Sequence, residues 1–154
     1  MTEHSPIRPV RRVVVLADAD DVPRVVADDA SPHVHTLPGM PPNLALTDLW
    51  YTGPGANLDD GADRDLAVAP DPGGSLFRVV QLPPDGDTEP FWHETATCDY
   101  NVVLAGELVL LLGDEAVTLR AGDTVVVRGG RHAWSNRSDD LAILAAVSVS
   151  TADA

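Results

Sequence analysis

A chain of 154 residues is long enough for one domain with a sizeable core, and a hydrophobic content of 44% excludes a mostly disordered protein. The formal charge of -14 argues against nucleic acid or an anionic membrane surface as partner and leaves a small molecule as the default ligand. Cys98 is the only cysteine and all ten basic residues are Arg, which excludes an intrachain disulfide, a cysteine-based zinc cluster, lysine Schiff-base chemistry and a phosphate-loop lysine.

No apolar run approaches the roughly 18 residues of a membrane span, and no charged leader precedes an apolar core. The expectation is a soluble, cytoplasmic protein. In chain order, short strands are expected at 11–16 (RRVVVL), 24–27 (RVVA) and 47–52 (TDLWYT), separated by proline- and glycine-rich loops. Within these, Asp59, Asp63 and Asp65 stand near a glycine but lack the ligand register of a calcium loop, so they read as solvated acidic loop. Strands then follow closely at 75–82, 91–96, 99–105, 107–112, 115–120, 124–129, 131–136 and 141–149. All thirteen prolines lie at or before Pro90, so the remainder can hydrogen-bond as continuous sheet. The organisation expected is an irregular N-terminal arm over 1–74, with short strands packing on a barrel over 75–154, in one all-β antiparallel structural domain. The strands at 11–16 and 24–27 have no obvious internal partner, and pairing across a subunit boundary would cover their edges. A homodimer is therefore expected.

In FWHETATCDYNVVLAGEL, residues 91–108, the polar residues His93, Thr95, Thr97 and Asp99 share one parity. The apolar run that follows needs cover on both faces, so the polar row is expected to face an enclosed space. A straight strand would separate His93 from Asp99 by about 20 Å at ~3.3 Å per residue, so Ala96-Thr97-Cys98 must bend if they are to cooperate. Further on, His132, Trp134 and Asn136 share a parity after Gly129-Gly130.

These two segments resemble the cupin superfamily, double-stranded β-helix (jelly-roll) barrels with two signature motifs. The first motif is similar to His93, Thr95 in place of a second histidine, Asp99 in place of a glutamate, and Gly106. The second is similar to Gly122-Asp123, the Arg128-Gly129-Gly130 turn, His132 and Asn136, with the usual proline missing. The resemblance implies that His93, Asp99 and His132 converge inside the barrel, where cupins hold a divalent metal (Fe, Mn, Ni or Zn). A metal-free site is the alternative. There His132 acts as general base or acid, oriented by Asp99 or His93. For each of these residues the competing reading is a hydrogen-bonded core polar group.

Candidates to contact a substrate are Arg78, for a carboxylate or enolate, with Thr95, Trp50, Trp134 and Asn136; Tyr51, Phe91 and Trp92 are further aromatic candidates. His33 and His35 read as surface residues of a proline-flanked loop, and Cys98 as a small hydrophobe packing outward. The function expected is a small-molecule-transforming enzyme of the lyase, isomerase or cyclase kind. The alternatives are a metal-dependent dioxygenase and a non-catalytic metabolite-binding module.

Overall fold

The computed structural model of the chain describes residues 6–53 and 61–153. The described residues contain no helix, and none is therefore long and apolar enough to cross a membrane. They form β1 (Arg11–Ala17), β2 (Pro23–Ala30), β3 (Val34–His35), β4 (Ala45–Thr52), β5 (Ser75–Leu82), β6 (Thr97–Ala105), β7 (Glu107–Leu112), β8 (Glu115–Arg120), β9 (Thr124–Arg128), β10 (Ala133–Ser135) and β11 (Ala142–Ser150). A six-stranded sheet runs β3-β4-β5-β11-β6-β9, a three-stranded sheet runs β10-β7-β8, and β1 pairs with β2 alone. Every pairing is antiparallel. The two larger sheets close on each other as a jelly-roll barrel.

Alternation in the sequence decides which side chains enter the barrel. Leu108 and Leu110 of β7 and Leu119 of β8 meet Leu82 of β5, Val103 of β6, Val127 of β9 and Leu144 of β11, all buried, in one cluster. The polar residues His93, Thr95, Asp99 and His132 lie on the same inner side, beyond this cluster, around a cavity. Apolar packing thus closes one part of the barrel and leaves the other for a site.

Two expectations are corrected. Residues 91–96 form no strand; His93 alone makes a bridge, to His132, and the chain bends at Ala96 before β6 begins. The strands at the N-terminus do have an internal partner, since β1 and β2 pair with each other from Arg11↔Ala30 to Ala17↔Pro23. The arm also supplies β3 and β4 to the large sheet through the β4–β5 pairing. Of the acidic loop, Asp59 lies outside the described residues.

Gly106 joins β6 to β7 in the left-handed region, at φ 75°. A Cβ there would stand 2.9 Å from Ala142 Cα and 2.9 Å from Leu141 O, so the strand crossing admits only glycine. Gly113, in the two-residue turn between β7 and β8, also has a positive φ of 70° but open space around it. Gly113→Ala is expected to cost about 1 kcal/mol from backbone strain, and Gly106→Ala to exceed it by a further ~1–3 kcal/mol because backbone atoms must move. Urea unfolding of the two variants checks the order; equal losses would show that the crossing is not tight.

Candidate active site

Two backbone hydrogen bonds create the core of the site. His93 N donates to His132 O at 3.0 Å and His132 N donates to His93 O at 2.9 Å. Directly opposed residues of an antiparallel pair present their side chains on one face. The imidazole centroids accordingly lie 4.4 Å apart with planes inclined by 59°. His132 reaches this position from Gly129 and Gly130, both at positive φ, 70° and 83°, a succession that side-chain-bearing residues resist.

Each ring has a definite tautomer. His93 Nδ1 lies 3.2 Å from Phe91 O and His132 Nδ1 lies 2.9 Å from Gly130 O. A carbonyl only accepts, so both Nδ1 atoms carry hydrogen, and in the neutral form of each ring the lone pair is on Nε2. His132 is buried and His93 half-buried. Burial pushes the His93 pKa below the ordinary imidazole value, assisted by a charge on His132, while the Phe91 carbonyl and the Asp99 carboxylate oppose the shift.

Asp99, on β6 opposite Val127 and Ser148, completes the cluster. Its Oδ1 is buried and has no hydrogen-bond partner, whereas the Thr95 and Thr97 hydroxyls bond each other at 2.7 Å. His93, Thr95, Asp99 and His132 line a cavity of about 120 Å³ together with Asn101, Ser148 and Arg78. The rest of its wall is apolar, from Leu37, Met40, Leu44, Leu46, Leu66 and Val68 on the arm side to Val80, Phe91, Trp134 and Leu144 on the barrel.

The remaining candidates divide. Trp134 lines the cavity and packs on the core. Trp50 does not line it: a register shift between Asp48 and Trp50 turns the indole to the opposite face, across from Phe77. Asn136 is also absent from the wall. Its Nδ2 donates to Leu82 O and Asp140 O, both at 2.8 Å, and its Oδ1 accepts from Ser138, so the amide holds a corner of the chain. Trp92 lies under the Arg131 guanidinium and Tyr51 donates to Asp71, both away from the cavity.

Arg78 is in the wall and is no surface charge. Its Nε and Nη2 donate to Asp48 Oδ1 and Oδ2 at 2.8 and 3.1 Å, and both residues are buried. His35, read from the sequence as a surface residue, is largely buried with Nε2 3.5 Å from Asp48 Oδ2. Asp48 and this use of His35 escaped sequence reasoning. The available signal was a lone acid within the otherwise apolar TDLWY, on a strand beside Arg78.

For a divalent metal, the donors fit by chemistry: two imidazoles with free Nε2 lone pairs, each fixed by a carbonyl at Nδ1, and a buried carboxylate oxygen lacking a partner. They fall short by placement, since no three His, Cys, Asp or Glu side chains among the described residues stand together closely enough to hold one ion. A metal held by His93, Asp99 and His132 would supply Lewis acidity. The chemistry developed below uses the side chains alone.

Residues 78–149 match the family model described as Cupin domain. Phomopsin biosynthesis cluster proteins C' and D of Diaporthe leptostromiformis are each 47% identical over 68 residues, 44% of this chain and 35% of theirs. The cupin-domain-containing oxidoreductase virC of Hypocrea virens is 28% identical over 100 residues, 60% of this chain and 50% of that protein. The chain thus spans half or less of these relatives' length. A putative ethanolamine utilization protein Q of Salmonella typhimurium LT2 shares the fold, with a TM-score of 0.53 over 92% of this chain and 97% of that chain at 15% identity. The family match and the barrel together make residues 78–149 a cupin domain.

Proposed function

We propose that the protein is a small-molecule-transforming enzyme of the lyase, isomerase or cyclase kind, in which His132 moves a proton within the barrel. The observation that carries this reading is the pair of adjacent imidazoles, each tied to a carbonyl through Nδ1, on the wall of a small and largely apolar cavity. His132 Nε2 would accept a proton from a substrate carbon or hydroxyl and return it elsewhere on the same molecule. His93 would share the proton, and the Asp99 carboxylate would stabilise the cation formed. Dehydration, isomerisation and cyclisation need little more. The relatives named for phomopsin biosynthesis support a role in small-molecule metabolism.

A metal-dependent oxygenase is the second reading. It is favoured by the unpartnered Asp99 Oδ1 and by the relative named as an oxidoreductase. His132→Ala separates the readings when turnover, metal content and melting temperature are measured on one preparation. In the acid/base reading, turnover of the substrate found by screening oxygenated small molecules falls on the order of 10²–10⁴-fold, with metal content unchanged and activity in chelator intact. In the metal reading, metal content falls together with activity. A variant destabilised by ~1–3 kcal/mol with full specific activity would overturn both and leave His132 a core residue.

We further propose that the protein is a homodimer. Across the outer face of the large sheet, Phe77, Val147, Tyr100 and Val126 lie in one register row, flanked by Leu104 and Val149. Phe77, Tyr100, Leu104, Val126 and Val149 are between 39% and 61% exposed, and this face of β5, β11, β6 and β9 carries no carboxylate in a chain with 24 Asp and Glu. A second copy is the natural cover, because a patch without carboxylates, with Arg128 at its edge, is the surface on which two strongly acidic molecules can meet. Light scattering is expected to give twice the chain mass at micromolar concentration, and Tyr100→Asp/Val126→Asp to give the monomer with its fold retained. A monomeric parent would refute the proposal.

A further inference from the structure

The cavity has a polar end that the proton chemistry does not use. Arg78 forms part of its wall and is only 6% exposed. Its Nε and Nη2 are spent on Asp48, which is 1% exposed and is its register partner across β4 and β5. Nη1 makes no hydrogen bond among the described residues and is not sealed from solvent-accessible space. The cavity is the space that Arg78 lines.

We infer that the cavity binds its substrate by a carboxylate, gripped by the open edge of the Arg78 guanidinium, with Asp48 as the positioning residue; this rests on reading His93 and His132 as the reacting end. A guanidinium has two usable edges. Asp48 occupies the edge formed by Nε and Nη2, which leaves Nη1 and the second hydrogen of Nη2 to donate as a fork to a planar anion. An oxygen acceptor in the cavity would complete the donor set of this edge with charge-assisted hydrogen bonds. Asp48 is itself firmly held. Its N donates to His33 O at 2.9 Å, its O accepts from Ser31 Oγ at 2.7 Å, and His35 Nε2 stands 3.5 Å from Oδ2. The pair therefore aims the free edge rather than letting it wander.

The geometry also bounds the ligand. Arg78 is in register with Ala146, and Ala146 with Asn101, so Arg78 and Asn101 stand two strand spacings apart, roughly 10 Å between backbones. Asp99 is the next inward residue of β6, with the imidazoles beyond it. A molecule spanning from Arg78 to His132 inside about 120 Å³ has only a short carbon body, and Leu46, Leu66, Val68 and Val80 around it favour an apolar, branched one.

Isovalerate and its uncharged counterpart isovaleramide are suitable probes, titrated by calorimetry or ligand-observed NMR into the intact protein at fixed neutral pH. Isovalerate is expected to bind on the order of tenfold or more tightly than the amide. Arg78→Met/Asp48→Leu removes both charges together and is expected to fold and to lose the preference, because an isolated buried charge is never created. His132→Gln is expected to keep it, which separates failure of the anion grip from failure of the proton-transfer reading. If the double variant does not fold, Arg78→Lys replaces it: a lysine can pair with Asp48 but lacks the second edge, and the preference is expected to fall about fivefold or more. Absence of any preference for isovalerate in the parent, or its persistence in a folded double variant or in Arg78→Lys, would overturn the inference.

Discussion

The site depends on the reciprocal pair of backbone hydrogen bonds between His93 and His132. Residues 83–96 connect β5 to β6 without strand structure, and such a connection would ordinarily float over the barrel mouth. Here it is pinned at two points to the segment that carries β10. At one, Asp85 N donates to Asn136 O while Asp85 accepts from Ser135 Oγ at 2.6 Å and from Asn136 N at 2.9 Å. At the other, the two histidines bond backbone to backbone. The same bonds that close the chain over the cavity thus set the two imidazoles side by side, so local folding and site assembly are one event. Asn136, which donates to Leu82 O, belongs to the first pin and reaches the chemistry only through it.

How much of this was legible in the sequence follows from the range of the interactions involved. β5, β7 and β8 match the sequence reading residue for residue, because alternation and turn glycines are local signals. Of the polar row of one parity, His93, Thr95, Thr97 and Asp99, all but Thr97 line the cavity, while Thr97 is buried and bonded to the Thr95 hydroxyl. The same parity misled at 91–96, where an extended loop and a strand share their periodicity and only the partner strand distinguishes them. The β1–β2 pairing was missed for a similar reason. Partner choice is a property of the pair, and no residue within 11–17 announces it. Trp50 failed through a bulge, which reverses the facing of everything beyond it without a mark in composition. Arg78 was legible as a cation on a strand. Its anchor Asp48 was not, because the two are 30 residues apart and meet only through sheet register.

Polar groups inside an apolar barrel are costly, and this chain meets the cost in two ways. Asn136 and the Arg78–Asp48 pair are saturated or nearly so by partners within the protein. Asp99 Oδ1 has no hydrogen-bond partner, and Asp99, His93, His132 and Arg78 all line one cavity. A barrel selected for stability alone would replace these with Leu or Val, since a buried ion pair contributes little compared with well-packed apolar side chains. Buried polar atoms without a hydrogen-bond partner also occur away from this cavity, at His35, Asn43 and Thr47, so what marks the cavity is that a carboxylate, two imidazoles and a guanidinium line it together.

The division of labour between the two parts of the chain then becomes clear. His93, Asp99, Asn101, His132 and Arg78 all fall within 78–149, the stretch that matches the cupin family. Leu37, Met40, Leu44, Leu46, Leu66 and Val68, which close the other side of the cavity, lie outside it, as does Asp48. The cupin domain therefore brings the two histidines, Asp99 and one wall, and the N-terminal residues bring the opposite wall and the carboxylate paired with Arg78. Cavity shape and the orientation of its cation are properties of the arm, reached through β3 and β4 joining the sheet beside β5. If His93 and His132 act as proposed, selectivity among substrates of one chemical class would be tuned by changes at Leu37, Met40, Leu44, Leu46, Leu66 and Val68, with the two histidines left untouched.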